Sequence, residues 1–383
     1  MRILHIGKFF YPSHGGMENF LYDLLRANVG SEIDEACLVH AERGQLAGEQ
    51  DLADLPFLER LVRVKVHGHL SYAPISPGYP MALERMLQDF RPDLLHLHLP
   101  NVSAFAVLFS RRARSVPWLV HWHSDVVGPG LERKLKLLYP FYRPFEQALL
   151  RRARRVIATS PPYLESSVAL APWRDKCQVV PLGLDPARVE VDSSKPSLWP
   201  SQGRLRVLGV GRLTRYKGFE TLVRAALAVP EVELKIVGGG ELRRSLGSLL
   251  ERAGCPDQIE LTGAVDDGAR NRLLADCDLV CLPSINRAEA FGLILLEAMA
   301  AGKPVLVSDV QGSGMGWVVQ TAAAGWLFTP ANQEELAAKL RHIAASSVEL
   351  LEIGRRAKTA FSEHFHISKT AGQLQAVWKN YCP

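Results

Sequence analysis

The chain has 383 residues, a length that exceeds one ordinary α/β core and predicts two domains. Its residues are 47% hydrophobic and its mean hydropathy is near zero, which is typical of a soluble globular protein and excludes a disordered chain. The net charge of +5 is too small for the dense basic surface of nucleic-acid-binding proteins, so no nucleic-acid partner is expected.

The opening residues, Met1 to Gly7, are interrupted too soon by polar side chains for a signal peptide. No apolar run approaches the roughly 18 residues that a membrane span needs. We therefore expect a cytoplasmic location, which allows contact with the inner face of the cytoplasmic membrane. In that reducing compartment the six scattered cysteines are predicted to be free thiols.

The first half of the chain alternates short β-rich runs with stretches of helical spacing, the pattern of parallel sheets. The runs predicted as strands are 2–7, 36–40, 62–68, 94–99, 118–124, 156–160 and 177–182. Residues 1–184 are therefore predicted to form an N-terminal Rossmann-like domain.

The second half repeats this alternation. Its predicted strands are 206–211, 233–238, 259–263, 279–283, 304–310 and 325–328. Residues 203–365 are predicted to form a second Rossmann-like domain. The stretch 185–202, with three prolines and four serines, is predicted to be an interdomain linker. By analogy with other two-domain proteins, 366–383 is expected to form a helix that packs back on the N-terminal domain.

Two facing parallel sheets predict a ligand in a central cleft, at the carboxyl ends of the strands. After the first strand, Gly15 and Gly16 open a helix with apolar residues at Phe20 and Leu21. Free amides at such a helix start favour an anion. A flexible turn is the alternative interpretation.

In the second domain, Gly211 and Arg212 end the first strand and Lys217 opens the next helix. Both cations are therefore expected at the carboxyl edge of the sheet, where they suit a diphosphate. Either cation alone would be interpreted as an ordinary solvated side chain.

Glu289 and Glu297 stand eight residues apart in one apolar segment, which predicts that one helix face presents both carboxylates. Carboxylates accept hydrogen bonds from sugar hydroxyls, and the amides of Phe291, Gly292 and Leu293 at the helix start can bind phosphate oxygens. A hydrolase with paired carboxylates is less suitable, because eight helical residues separate the Cα atoms by about 12 Å. Binding is therefore the predicted role.

The pairs His96 with His98 and His121 with His123 each have the spacing of metal ligands on a strand. No third ligand is spaced nearby in the sequence, so we interpret them as non-metal histidines. Asp276 and Asp278 match a D-x-D signature, but they lead into an apolar strand and are predicted to cap a helix and enter that strand. No divalent metal and no other cofactor is expected.

These motifs together resemble glycosyltransferase family 4, retaining enzymes of the GT-B fold, over essentially the whole chain. The residues that carry the resemblance are Gly15, Gly16, His123, Pro181, Gly183, Gly211, Arg212, Lys217, Gly218, Gly238, Gly240, Glu241, Glu289 and Glu297. The resemblance implies that the N-terminal domain binds the acceptor and the C-terminal domain binds a nucleoside-diphosphate sugar. Gly238, Gly240 and Glu241 then belong to the donor site.

The resemblance also implies individual roles. Glu297 would bind the ribose hydroxyls, while Glu289 and the amides after it would bind the hexose and phosphate. Arg212 and Lys217 would hold the diphosphate, and Gly16 would approach the β-phosphate. His123 would hydrogen-bond the sugar near the reacting carbon.

The segment from Arg287 to Gly292, with the segment from Ser308 to Gly314, looks most like mannosyltransferase-type enzymes that use GDP-mannose or a related GDP-sugar in surface polysaccharide assembly. A UDP-sugar is the alternative donor. Retention is expected, with a leaving phosphate oxygen taking the proton of the acceptor. The rival hypotheses are a catalytically silent sugar-nucleotide-binding module, a nucleoside-diphosphate-sugar epimerase and a glycogen-type phosphorylase on the same architecture.

Residues 111–155 concentrate positive charge, with eleven basic residues against three acidic ones. Aromatic and leucine residues are interleaved with these cations, which is typical of interfacial segments. We hypothesise peripheral docking of this region on anionic lipid, so that a glycan or lipid-linked acceptor reaches the cleft. The alternative is a solvated basic face above an ordinary core.

Overall fold

The computed structural model describes residues 1–13, 15–70, 73–126, 133–191, 196–199 and 203–382. The chain divides into two compact units. Unit 1 contains Met1–Gly183 and Ile367–Pro383, and unit 2 contains Leu184–His366.

Unit 1 is built on an eight-stranded sheet with the order β10-β9-β8-β7-β1-β2-β4-β3. All neighbours in this sheet are parallel except β3, an antiparallel edge strand on β4. A separate hairpin is formed by β5 and β6. The strands of unit 1 are β1 Arg2–Ile6, β2 Asp34–His40, β3 Gly48–Glu49, β4 Arg60–Val64, β5 Gly68–Leu70, β6 Ala73–Ile75, β7 Leu94–Leu99, β8 Trp118–Trp122, β9 Arg155–Ala158 and β10 Cys177–Val179.

Unit 2 contains a six-stranded, fully parallel sheet with the order β13-β12-β11-β14-β15-β16. Its strands are β11 Leu205–Val210, β12 Val232–Val237, β13 Ile259–Gly263, β14 Leu279–Leu282, β15 Val305–Ser308 and β16 Gly325–Phe328. The chain order reverses between β1 and β7 in unit 1 and between β11 and β14 in unit 2. Open α/β sheets bind ligands outside the carboxyl ends of strands at such reversal points.

Helices connect the strands in both units. The α-helices are α1 Gly16–Ala27, α2 Tyr79–Phe90, α3 Arg111–Ser115, α4 Arg133–Arg152, α5 Pro161–Ser166, α6 Phe219–Leu227, α7 Arg243–Arg252, α8 Asp267–Asp276, α9 Leu293–Ala300, α10 Gly314–Ala322, α11 Gln333–Ala344, α12 Ser347–Ala360 and α13 Ile367–Lys379. Shorter helical turns are Val102–Leu108, Ala171–Lys176, Pro186–Val189, Arg215–Lys217 and Phe361–Phe365.

The helices around the sheets bury apolar stripes, as α1 shows with Phe20, Leu21 and Leu24. The helix α13 belongs to unit 1 and packs against α1. Its Trp378 is fully buried and lies with its ring 6.0 Å from the ring of His5 in β1. Helix α13 is therefore part of the core of unit 1.

The segment that connects the two predicted domains packs on unit 2 where the structure describes it. The turn Pro186–Val189 contacts α8 and α9. Trp199 is buried, and its indole Nε1 donates a hydrogen bond of 3.0 Å to the carbonyl oxygen of Leu273. Residues 192–195 and 200–202 of the predicted linker lie outside the described residues.

Candidate functional site

In unit 2 the turns that follow β11 and β12 pack backbone against backbone. The amide of Gly211 donates to the carbonyl oxygen of Val237 at 3.0 Å. Gly238 has a φ of 138°, and a Cβ there would collide with the carbonyl oxygen of Gly211. A Cβ on Gly240 would lie 2.6 Å from the carbonyl oxygen of Leu213. Glycine is therefore required for this close approach.

Lys217 lies across the turn that follows β11. A Cβ on Gly211 would lie 3.3 Å from the Cε of Lys217, so the lysine stem occupies the space that the missing side chain leaves. Gly218 follows with a φ of 68°, and any Cβ there would collide with the carbonyl oxygen of Pro283 after β14. The loops after β11 and β14 thus meet at the reversal point of the sheet.

The ammonium group of Lys217 forms an ion pair with the carboxylate of Glu289. Burial would lower the pKa of Lys217, but the charge and hydrogen bond of Glu289 outweigh it, so this pKa is raised. Arg212 is exposed in the turn directly after β11, and its charge acts against this rise in the pKa of Lys217. Two cations therefore flank the carboxyl end of β11, as the sequence predicts.

The prediction that one helix face presents both Glu289 and Glu297 is wrong. Helix α9 begins at Leu293, four residues after Glu289, because Gly292 precedes it in the left-handed conformation with a φ of 80°. Glu289 instead lies in the loop before α9. Its backbone carbonyl oxygen accepts a hydrogen bond of 2.6 Å from the hydroxyl of Ser313. Only Glu297 projects from α9, where it is 6% exposed.

The start of α9 presents its free amides beside this ion pair. Leu293 is the first helical residue, and the preceding Phe291 is buried with its ring 6.4 Å from that of Phe365. Unpaired amides at a helix start attract anions. Glu241 is exposed in the turn before α7, and the structure gives it no partner in the described part of the chain.

The D-x-D segment of unit 2 is engaged in the fold. Asp278 accepts hydrogen bonds from the guanidinium of Arg206 at 2.6 and 2.9 Å, and from the backbone amide of the same residue at 2.9 Å. Hydrogen bonding to Asp278 raises the pKa of Arg206. Asp276 ends α8. The carboxylate of Asp278 thus joins strand β14 to β11.

In unit 1 the residues Gly15 and Gly16 form the start of α1, after the carboxyl end of β1. The carboxylate of Glu18 folds over this helix start, and a Cβ on Gly15 would collide with it. An acidic group in the first turn is favourable because it faces the positive end of the helix. The carboxylate of Glu18 therefore already lies at the position where this helix start favours an anion.

His123 lies directly after β8, and its backbone amide donates to the carbonyl oxygen of Leu99 at 2.9 Å. Asp125 anchors the turn that follows, because it accepts hydrogen bonds from the indole of Trp122 at 2.9 Å and from the hydroxyl of Ser167 at 2.7 Å. The imidazole of His123 is partly exposed and is thus held at the carboxyl edge of the sheet.

The statement that no third ligand accompanies the histidine pairs is wrong. His5 of β1 is in register with His96 of β7, and His98 of β7 is in register with His121 of β8. Together with His123, five imidazoles form one cluster at the reversal point of the sheet. The cluster contains two sets of three histidines that could each hold a metal ion, because the ring nitrogens within a set lie within 4.8 Å of one another. The sets are His5, His96 and His98, and His98, His121 and His123.

Burial lowers the pKa of four of these imidazoles and keeps them neutral. Burial and neighbouring histidines lower the pKa of His96, His98 and His121 well below the ordinary value. Burial also lowers the pKa of His123 to about 3. The sequence could not show this cluster, because strands far apart in the chain become neighbours only in the folded sheet.

Comparison with known proteins follows the same division into units. Residues 15–183 match the family described as Glycosyl transferase 4-like domain, and residues 192–360 match the family described as Glycosyl transferases group 1. The O-antigen chain mannosyltransferase C of Escherichia coli is 27% identical over 95% of this chain and 94% of its own length. The D-rhamnosyltransferase WbpZ of Pseudomonas aeruginosa is 26% identical over 95% and 92% of the two chains.

Solved structures agree on the fold. The sucrose-phosphate synthase of Thermosynechococcus elongatus matches with a TM-score of 0.81 and 22% identity, covering 99% of this chain and 98% of its own. HepE of Anabaena, solved in complex with UDP-glucose, matches with a TM-score of 0.73 and 20% identity, covering 99% and 100% of the two chains.

Two Rossmann-like units with this site chemistry define a nucleotide-sugar-dependent glycosyltransferase of the GT-B fold. The chain belongs to glycosyltransferase family 4.

Proposed function

We propose that this enzyme transfers a hexose, with retention of anomeric configuration, from a nucleoside-diphosphate sugar to a glycan or lipid-linked acceptor in surface polysaccharide assembly. A GDP-sugar such as GDP-mannose is the favoured donor, and a UDP-sugar is the alternative. The two relatives matched over nearly their full length are a mannosyltransferase and a rhamnosyltransferase, which supports the choice of a hexose of this kind.

The ion pair between Lys217 and Glu289 carries the proposal. It lies at the reversal point of the sheet in unit 2, close to Arg212 and the start of α9. In the proposed donor complex, Lys217 and Arg212 stabilise the negative charge that grows on the leaving diphosphate. Glu289 keeps Lys217 charged and oriented before the donor arrives, and then bonds the hexose hydroxyls.

The remaining predicted residues complete the donor site in this proposal. Glu297 bonds the ribose hydroxyls, and the amides of Phe291, Gly292 and Leu293 bind phosphate oxygens. Gly211, Gly238 and Gly240 keep the edge of the sheet open for the nucleotide, and Glu241 lies at its rim. In unit 1, Gly15 and Gly16 approach the β-phosphate and His123 bonds the sugar.

Enzyme kinetics test the role of Lys217. Lys217→Ala should lower the rate of transfer about a hundredfold, because it removes a preorganised cation from the developing charge. The matched control is Arg224→Ala, which breaks an exposed ion pair with Glu220 on α6 of the same unit and should leave the rate unchanged. Equal rates for Lys217→Ala and the wild type would remove the ion pair from the site.

A panel of nucleotide sugars identifies the donor, because a ligand that binds the native state raises its melting temperature. Acceptor-dependent release of the free nucleotide then separates transfer from the alternative of a catalytically silent binding module. Release should persist in EDTA if protein cations alone hold the diphosphate. A strict requirement for magnesium or manganese would contradict this part of the proposal.

We further propose that unit 1 docks on anionic lipid. Within the described residues, no helix is both long and apolar enough to cross a membrane. Unit 1 nevertheless exposes Phe109, Leu137 and Phe141 by 71–75%. They lie in and beside the basic segment 111–155, where Arg111 and neighbouring arginines are exposed. This mixture suits a bilayer interface.

Cosedimentation with phosphatidylcholine vesicles of rising phosphatidylglycerol content tests the docking. Binding should increase with anionic lipid, decrease with salt, and weaken in the double variant Leu137→Ser and Phe141→Ser. Val168→Ser is the control, since Val168 is 80% exposed in the same unit outside the segment. Absence of binding, or binding that ignores both lipid charge and salt, would favour a soluble acceptor.

A further inference from the structure

Three of the five clustered histidines are joined in series by hydrogen bonds within unit 1. The Nδ1 atom of His5 lies 3.1 Å from Nε2 of His98, and the Nδ1 atom of His98 lies 3.1 Å from Nε2 of His123. At the other end, Nε2 of His5 lies 3.0 Å from Oε1 of Glu35. A carboxylate is thus linked through two imidazoles to His123.

The carboxylate end of this series is fixed from the outside. The amide group of Asn28 donates to both oxygens of Glu35, at 3.0 Å each. The amide of Gln375, on α13, in turn donates to Oδ1 of Asn28 at 2.8 Å. The side-chain amide of Asn28 thus donates to both carboxylate oxygens of Glu35. Because an ionised carboxylate only accepts hydrogen bonds, Glu35 is also the acceptor in its bond with His5.

We propose that Glu35, through His5 and His98, sets the tautomer of His123. A neutral imidazole has one N–H donor and one acceptor nitrogen. Since Glu35 accepts, Nε2 of His5 carries the hydrogen and its Nδ1 accepts. His98 must then donate from Nε2 and accept at Nδ1, so His123 donates from Nε2. The Nδ1 atom of His123 is left as a hydrogen-bond acceptor.

The consequence for the enzyme rests on the proposed function, in which His123 meets the sugar. Within the series, Nε2 of His123 donates to His98 and its Nδ1 carries no hydrogen, so the ring is neutral. A neutral ring with a bare Nδ1 accepts a hydrogen bond from a sugar hydroxyl and does not act as a proton donor there. His5, His98 and Glu35 are positioning residues, since they act only through His123.

A metal ion is the competing occupant of the cluster. It would need a ring nitrogen of His98, because both sets of potential ligands contain this residue. Either nitrogen of His98 is already within hydrogen-bond distance of a neighbouring histidine. A divalent ion would also bring two positive charges into a buried cluster. Among the described residues of the series, Glu35 is the one carboxylate that could balance them. The hydrogen-bonded series is therefore favoured.

The tautomer is measured directly in the ligand-free wild-type protein. Long-range ¹H–¹⁵N spectra of protein labelled with ¹⁵N-histidine, recorded at pH 8, report which ring nitrogen carries the hydrogen. The His123 signals are assigned by their loss in His123→Gln. We expect hydrogen on Nε2 and none on Nδ1. Hydrogen on Nδ1, or one equivalent of bound transition metal by elemental analysis, would overturn the inference.

Glu35→Gln tests whether the carboxylate sets the direction. The glutamine can face Nε2 of His5 with either its carbonyl oxygen or its N–H₂ group, so the direction of the series is no longer fixed and part of the His123 population should carry its hydrogen on Nδ1. Glu59→Gln, at an exposed glutamate of unit 1, is the matched control and should leave the tautomer unchanged. An unchanged His123 tautomer in folded Glu35→Gln would overturn the inference.

Kinetics then connect the tautomer to transfer. With the acceptor nitrogen lost in part of the population, Glu35→Gln should lower kcat/KM by a factor of about two to ten, while Glu59→Gln should not. A mixed tautomer with an unchanged kcat/KM would support the relay and contradict the sugar contact of His123. The wild-type tautomer decides the inference even if Glu35→Gln does not fold.

Discussion

Glu146 is a fully buried carboxyl group on α4 in unit 1. Burial raises its pKa to about 7, against the hydrogen bond of 2.8 Å that it accepts from the hydroxyl of Tyr139. The native state therefore keeps a proton on Glu146 at a pH where the unfolded chain, with an ordinary value of 4.5, has released it. The contribution of Glu146 to native stability should therefore be complete below about pH 4.5 and should be lost as the pH rises to about 7.

The size of the effect follows from these two pKa values. Each pH unit between them costs about 1.4 kcal/mol, so the ionised Glu146 destabilises unit 1 by about 3 kcal/mol at pH 8. Glu146→Gln is always neutral and has nearly the same shape. For a unit of about 200 residues, this difference corresponds to a rise of about 6–12 °C in the melting temperature.

Differential scanning calorimetry at a series of pH values measures this difference. The melting temperature of Glu146→Gln should match that of the wild type near pH 4.5 and exceed it increasingly up to about pH 7, after which the gap stays constant. Glu59→Gln, exposed in the same unit, should show no such gap. A gap that does not grow with pH would refute the argument that buried Glu146 holds a proton.

Three further predictions concern unit 2. Glu297→Ala should weaken binding of the nucleoside diphosphate by about 1.5–3 kcal/mol in calorimetric titration, because a charged acceptor is lost, and unchanged affinity would exclude it from the donor site. Gly218→Ala should lower the free energy of unfolding by about 1–3 kcal/mol, since the new Cβ meets the carbonyl of Pro283, whereas Gly247→Ala, in open space on α7, should stabilise by up to about 1 kcal/mol. Trp199→Ala should cost about 3–5 kcal/mol in denaturant unfolding if the segment packs as described, and a cost near zero would show that it does not.

Hydrophobic periodicity predicted most of the fold. Every strand predicted in the two halves is present, and most are buried runs such as β7, whose six residues are all buried. The sequence does not predict the strands β3, β5 and β6, since each is only two or three residues long. The first sheet therefore has an antiparallel edge that sequence patterning does not show.

The candidate site could be predicted as separate residues but not as contacts. Lys217 and Glu289 each carry a local signal, yet their ion pair depends on β11 and β14 being neighbours. The cluster around His98 likewise depends on the strand order β8-β7-β1. The sequence places the start of α9 too early, because the apolar segment after Glu289 has helical spacing throughout. In the structure Gly292 is left-handed, so the first helical residue is Leu293.

The return of α13 to unit 1 has a consequence for biosynthesis. Unit 2 is in effect an insertion between Gly183 and Ile367, so a ribosome completes all of unit 2 before it makes the helix that supplies Trp378 and Gln375 to unit 1. Unit 2 is one continuous stretch of chain and can fold first. The rings of His5 on β1 and His96 on β7, which pack beside Trp378, therefore stay without this cover until translation reaches α13.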